Sequence, residues 1–218
     1  MKPDRQPGRP GPSPRFTREY VLEKALEVIE EAPPAEFSMR RLGEALGIRS
    51  MTLYGYVENK NDILESVTRL ALDKFHREPD PDSPWYEQVR VLLRQIHLVC
   101  REYPHLAHLV ISRDTHTPGL LHLRERMLAL LRGAGFDDDI ALRALGALAY
   151  YTTGFSGGQA LQRMSDVASA IGKLPPEDFP HLTSLAGSYE QHASEEAFEF
   201  GLELLLDGLR RQLAQQQP

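Results

Sequence analysis

From Thr17 onward the apolar residues of this 218-residue chain recur at three- and four-residue steps almost without interruption, and no segment sustains the two-residue alternation of a half-buried strand. That pattern points to an all-α fold, because each apolar stripe must be buried against another helix. The breaks are as informative as the stripes. Thr17 reads as the N-cap of a first helix with Val21, Ala25, Val28 and Ile29 on one face, and Pro33-Pro34 stops it. A second helix begins after Ser38 and ends at Gly47, and a third runs from about Ser50 to Tyr56. A fourth starts at Asn59, where Asp62 completes a capping-box pattern, and continues through Ile63, Val67, Leu70, Ala71 and Phe75. Ser83-Pro84 reads as N-cap and first-turn proline of a longer helix carrying Trp85, Val89, Leu92, Ile96, Val99 and Tyr103, which Pro104 ends or kinks. A short helix to Arg113, one from Thr117-Pro118 to Gly133, a long one from Asp137 and a last one from Ser194 to about Gln212 complete the pass. Residues 164–193, interrupted by Pro175, Pro176 and Pro180, read mostly as loop.

Several function classes drop out early. The apolar run from Ile140 to Gly158 is broken by Arg143 and glycines, so no membrane span is expected. The N-terminus has prolines and arginines where an export signal needs an apolar stretch, and a cytoplasmic location follows as the expectation. The single cysteine, Cys100, lies on the apolar stripe of a helix and reads as a buried structural thiol. Although the net charge is −6, residues 1–18 carry Lys2, Arg5, Arg9, Arg15 and Arg18 against Asp4. This basic arm suits contact with phosphate. Its proline and glycine content predicts disorder over 1–15 in the free protein.

The informative segment is 38–60, SMRRLGEALGIRSMTLYGYVENK. Gly47 permits a tight turn between two short helices, Gly43 lets them cross closely, and Leu42, Leu46, Ile48 and Leu53 supply a small core. This is helix-turn-helix grammar, which a plain structural hairpin would share. The third helix adds chemistry: Arg49, Ser50, Met51, Thr52, Tyr54, Gly55 and Tyr56 offer short hydroxyls, a methyl and aromatics without acids, as a surface must when it reaches base edges and phosphates. Lys60 falls in the first turn of the next helix, where its ammonium and free backbone N–H groups would clamp one phosphate.

With these residues in view, the chain resembles the TetR family of bacterial regulators. The likeness covers residues 15–76 through FSMRRLGEALGIRSMTLYGYVENKNDIL, with Thr52-Leu53-Tyr54 and Asn59-Lys60 as its specific elements. A looser likeness to the tetracycline-repressor branch runs through REYPHLAHL, LRGAGFDDDIALRAL and FEFGLELLLDGL. The resemblance implies three units: a basic arm over 1–15, a three-helix DNA-binding head over 16–62, and an effector-binding and dimerisation bundle over 63–218, with the helix from about 59 to 76 connecting them. It also implies that Arg40 and Thr52 approach bases or phosphates, that Tyr54 and Lys60 bind backbone, that Ser50, Met51 and Tyr56 frame specificity, and that Ser38 caps the second helix beside a phosphate. Met39 stands where a hydroxyl residue is common, and Gly55 where many relatives have bulk, so no operator sequence transfers. Arg9 and Arg15 join the DNA-binding set, with Gly8-Arg9-Pro10 read either as incidental phosphate contact or as a minor-groove reader.

The family's usual mode is repression by a homodimer on a palindromic operator, released by a small effector. Nominated dimer residues are Ala144, Ala147, Tyr151 and Gly154, and Phe198, Leu202, Leu205 and Leu209, the alternative being that these faces pack inside one subunit. The effector, small and apolar or aromatic, is expected between helices of residues 85–160, with Trp85, Ile96, His97, Cys100, Tyr103, His105, Leu106, Leu109, Leu128, Tyr150 and Phe155 as liners and Thr152 as a polar anchor. His76 matches a ligand-contacting histidine of the tetracycline repressors. No metal is expected, because Glu102-x-x-His105 lacks the second copy that a di-iron bundle needs, and no catalytic constellation or cofactor motif is present. The rivals are a helical small-molecule binder or enzyme with no DNA role, and a helix-turn-helix adaptor that binds protein.

Overall fold

The computed structural model describes residues 16–31, 33–112, 118–156, 167, 169–188 and 194–216, and every regular element among them is helical. Helix α1 (Arg18–Glu30) starts where the Thr17 hydroxyl accepts from the Tyr20 amide. A single 3-10 turn (Pro34–Glu36) leads to α2 (Met39–Leu46), capped by Ser38 accepting from the Arg41 amide at 3.2 Å and closed by Gly47 at φ +65°. Helix α3 (Ser50–Leu53) is shorter than the sequence suggests. The Gly55 and Tyr56 amides donate to the Thr52 and Leu53 carbonyls, so the chain leaves α3 in a turn. Asn59 caps α4 (Lys60–Lys74), accepting from the Asn61 and Asp62 amides, while the Asp62 carboxylate reaches back to the Glu58 amide at 2.8 Å.

The longer helices follow as α5 (Trp85–Glu102), α6 (Pro104–Ser112), α7 (Pro118–Gly133) and α8 (Asp138–Ser156). Pro84 itself occupies the N-cap of α5 without a side-chain cap, because the Ser83 hydroxyl is spent donating to the Asp80 carbonyl. Pro104 ends α5 and opens α6 directly. Within the stretch expected to be mostly loop, Pro180–Ser184 forms a short helix, α9, its proline fitting a first turn that needs no N–H. The last helix, α10 (Glu195–Gln216), outruns the expected end near Gln212 by one turn.

Two packing regions meet at α4 and α6. In the head, Val21, Ile29, Leu42, Leu53, Ile63, Leu64 and Val67 close a core around the helix-turn-helix. That cluster also takes in Val99, Leu106, Leu109 and Val110, so head and body share buried apolar surface. Polar ties reinforce the join: Arg18 bridges α1 to Asp62 and Ser66 at 2.8 Å each, and the Glu30 carboxylate accepts from the His105 and Leu106 amides at 3.2 and 2.8 Å. Glu30 thereby caps the first turn of α6 from another helix. Burial raises its carboxyl above the ordinary value, against the downward pull of those two amides. In the body, Val89, Leu92, Leu93, Met127, Leu148, Phe198, Leu202 and Leu206 form the centre of a bundle of α5, α7, α8 and α10. Arg90 and Arg94 pin α5 to α10, Arg90 reaching Glu199 and Glu203 and Arg94 reaching Glu199 at 2.5 Å. Among the described residues, no helix is long and apolar enough to cross a membrane.

Candidate functional site

The helix-turn-helix is fixed by backbone packing. At Gly43 an added Cβ would stand 2.9 Å from the Ile48 carbonyl oxygen and 3.2 Å from the Ser50 nitrogen, so the residue after the turn lies directly on α2. The left-handed φ of Gly47 turns the chain without Cβ strain. Leu42, Leu46 and Leu53 are buried beneath, which presents the opposite side of α3 to solvent.

That side carries most of the expected surface. Met51 is 76% exposed, Tyr54 is half exposed, and Arg49, Thr52 and Gly55 are exposed, while Ser50 is half-buried at the start of α3. Arg40 points outward one helix away, near Glu44 at 3.7 Å. Arg49, Met51, Thr52 and Tyr54 thus share one exposed, acid-free surface about a single turn of helix. Two residues sit differently from expectation. The Tyr56 hydroxyl accepts from the Phe16 amide at 3.3 Å and its ring packs on the head core, which ties it to the start of α1 instead of the open face. The Lys60 ammonium donates to the Phe37 carbonyl and lies 5.0 Å from that ring's centroid, so in this conformation it is turned toward the head. Arg9 and Arg15 lie outside the described residues.

The expected liners of an effector pocket divide into groups. His97 and Phe155 come together between α5, α8 and α10, while Cys100 on α5 and Thr152 on α8 are buried. The His97 ring stacks on Phe198 with centroids 3.8 Å apart, its Nδ1 is 2.6 Å from Ser156 Oγ, and its Nε2 is 3.1 Å from Glu195. The Ser156 hydroxyl also lies within hydrogen-bond reach of the Thr152 carbonyl, to which it donates. Burial lowers the His97 pKa below its ordinary value despite the Glu195 carboxylate. Tyr151, Phe155 and Phe198 complete an aromatic nest, and on α8, next in sequence to Tyr151, the buried Thr152 hydroxyl oxygen finds no hydrogen-bond partner among the described residues. Burial also pushes the Cys100 thiol up to about 11, which keeps it protonated and inert.

Other nominated liners go elsewhere. Trp85 meets Phe136 edge to face at 5.2 Å, and Leu128 packs with them at the far end of α5. Ile96 is half-buried in the body core, and Leu106 and Leu109 belong to the head cluster. His105 faces the head too, its Nδ1 3.3 Å from the Ile29 carbonyl. Tyr103 accepts from Lys74 at 2.8 Å beside an open groove, and His76 is exposed next to Glu78 at 3.4 Å. Tyr150 is 81% exposed on α8, which removes it from any internal pocket of this chain.

The dimer nominations need a matching correction. Phe198 and Leu202 are fully buried, the half-buried Tyr151, Leu205 and Leu209 pack on the same core, Ala144 is buried with Leu131, Phe136 and Ala141, and the Tyr151 hydroxyl donates to the Phe198 carbonyl at 2.7 Å. Ala147 and Gly154 face outward. Leu142 and Tyr150 on α8 and Phe200 and Leu204 on α10 are exposed as well, Phe200 and Leu204 at 69% and 59%. The sequence pattern does not single out the exposed Leu142, Phe200 and Leu204, because apolar residues lie on more than one side of α8 and α10 and periodicity leaves the choice of face open. A second step in the pattern, Phe200-Leu204-Gly208 at four-residue spacing, was the available signal.

Comparison with known proteins agrees with these features. A family model described as "Tetracyclin repressor-like, C-terminal domain" matches residues 78–213. The HTH-type transcriptional repressor DrrR1 of Streptomyces coeruleorubidus is 28% identical over 97% of this chain and 83% of that protein. The Escherichia coli tetracycline repressor protein class C is 25% identical over 90% of this chain and 92% of its own. The structure of apo ActR from Streptomyces coelicolor superposes with a TM-score of 0.72 at 27% identity, covering 94% of this chain and 99% of ActR. ActR has also been solved in complex with actinorhodin, with a TM-score of 0.68 at 27% identity over 89% of this chain and 95% of that one. With the matched model spanning more than half of the sequence and the helix-turn-helix built as described, this chain belongs to the TetR family of ligand-responsive transcriptional regulators.

Proposed function

We propose that the protein is a cytoplasmic repressor that grips a palindromic operator as a homodimer and lets go when a small apolar or aromatic effector enters its body. The observation that carries the DNA reading is the acid-free exposed surface of Arg49, Met51, Thr52 and Tyr54 on a helix whose other side is locked into the head core. Such a surface lets Arg49 meet phosphate while Thr52 and Met51 approach base edges. Reading by two heads is supported by the exposed apolar Leu142 and Tyr150 on α8 and Phe200 and Leu204 on α10, side chains of the kind that a partner covers. With α8 and α10 of two copies packed there, the heads engage half-sites about 34–36 Å apart.

The effector reading rests on the aromatic nest of His97, Tyr151, Phe155 and Phe198 and on the unsatisfied hydroxyl of Thr152, which follows Tyr151 on α8. A planar aromatic ligand with one hydrogen-bonding group would stack there and satisfy Thr152. Opening the nest would strain the link from α5 through α6 to the head, and a small rotation of each head is enough to spoil half-site register. The similar ActR, solved with actinorhodin, supports a small organic effector.

The test is fluorescence anisotropy on duplexes tiling the DNA upstream of the gene, at two salt concentrations with random duplex as competitor. Tight, salt-sensitive binding to one tile that survives the competitor is expected, and so is its loss in Arg49→Ala with a salt slope shallower by about one. Binding no tighter than to random DNA, both on the tiles and after selection from a random duplex library, overturns the reading.

A further inference from the structure

A groove of about 620 Å³ lies where head and body meet, between α1, α4 and the end of α5. Its floor is apolar and aromatic, from Leu26, Leu70 and Tyr103, and its rim is acidic, from Glu23, Glu30 and Asp73 and from Glu27, which Lys24 holds at 2.6 Å. Lys74 adds no net positive charge, because Glu102 holds it at 2.8 Å. Glu23 and Asp73 have no ion-pair partner among the described residues. The chain enters α1 at Phe16, whose ring stacks on Tyr20 at 5.2 Å, one turn before Glu23.

We propose that the basic, proline-rich arm over residues 1–15 docks in cis into this groove, running back along α1. Three properties of the arm and the groove select this occupant. Charge is complementary: Lys2, Arg5, Arg9 and Arg15 against the single Asp4 meet an acidic rim. Composition is complementary: five prolines favour the extended polyproline form, whose low ordering entropy suits an apolar floor with an aromatic ring. Reach is sufficient. Helix α1 is 13 residues long, about 20 Å, while 15 residues of polyproline helix extend roughly 45 Å, so Arg9 can lie opposite Glu30 and Arg5 beyond it. Tethering keeps the arm at a local concentration of about millimolar, so modest affinity is enough to hold it.

The consequence is a competition. An arm in the groove is withheld from phosphate, and a duplex of high charge density draws it out, so the acidic groove sets the threshold at which the arm joins DNA. That last step rests on the regulator reading; the docking itself does not.

The test contains no DNA. A nitroxide is attached to the full chain through Gln6→Cys, Cys100 being buried and protonated in the native protein. Leucine methyl spectra are then recorded at low ionic strength. The expected result is several-fold stronger broadening at Leu26 and Leu70 than at Leu131, which packs near Trp85 at the opposite end of α5. Broadening should fade in high salt and in the triple variant Glu23→Gln, Glu27→Gln, Asp73→Asn, with an unshifted Leu131 methyl certifying the fold. Equal broadening at all three leucines, or broadening that survives the triple variant, overturns docking. Broadening in a mixture of spin-labelled and separately isotope-labelled chains assigns the groove to a second copy and overturns the in-cis proposal. Each of these failures leaves the DNA-binding test above untouched.

Discussion

Replacing Gly43 by alanine probes the crossing on which the DNA-binding surface depends. The new methyl group would face the Ile48 oxygen at 2.9 Å and the Ser50 nitrogen and Cα at 3.2 and 3.3 Å. All three are backbone atoms that cannot swing aside. Relief has to come from separating α2 from the start of α3, and overpacking of this kind costs about 1–3 kcal/mol. Alanine returns about 1 kcal/mol through its better helix propensity, so the net loss is up to about 2 kcal/mol. In a chain of this length that corresponds to a Tm lower by up to about 8 °C. The informative control is Gly133→Ala, where an added Cβ meets nothing within 4 Å, so that variant should be as stable as the parent or slightly more so. Thermal denaturation of both variants reads the stability. Anisotropy on the operator tile reads the function, and Gly43→Ala should weaken binding because α3 no longer sits at its former angle to the head. A Gly43→Ala protein with the parent's Tm and the parent's DNA affinity would refute the claim that close helix contact fixes the reading surface.

Three further outcomes are expected. Leu204→Glu buries a charge in the proposed interface, so light scattering should show a parent at twice 24.6 kDa and a variant shifted toward a single chain; an unchanged mass sinks the assignment of that interface. Cys100 should resist alkylation by iodoacetamide at pH 8 in the native protein and react once urea unfolds it, whereas rapid native labelling would contradict a thiol held at about 11 by burial. His97 resists protonation when folded, so its contribution to stability is complete above the ordinary value of 6.5 and is lost as pH falls from there toward the lowered folded value. The stability gap between the parent and His97→Asn in urea titrations should therefore narrow on acidification; a gap that is constant with pH removes the ring from the titrating groups.

Much of the head was legible because its signals are local. Thr17, Ser38 and Asn59 each cap a helix within three residues of themselves, Gly47 announces a left-handed turn, and Pro104 forbids the continuation of α5. These interactions need no knowledge of what lies across the molecule. The misreadings share the opposite character. Tyr150 and Tyr151 are neighbours of the same type, yet one is exposed and the other donates into α10, a difference set wholly by how α8 is rotated against its partners. Phe198 and Phe200 differ in the same way. Where apolar residues surround a helix, the period is the same for an inner face and an interface. Lys60 and Tyr56 show a related limit, since carbonyl and amide partners from Phe37 and Phe16 claim groups that motif reasoning assigns to the outside.

The shared cluster at α6 has a bearing on how such proteins are recombined. Because Ile29 and Val28 rest on the same buried patch as Leu106 and Val110, and Glu30 caps the first turn of α6, a head grafted at residue 62 would leave behind half of its own foundation. A sensor assembled from the reading end of one relative and the body of another should carry the upper rows of α6 along with the head, or rebuild them, if the signal is still to arrive at the DNA.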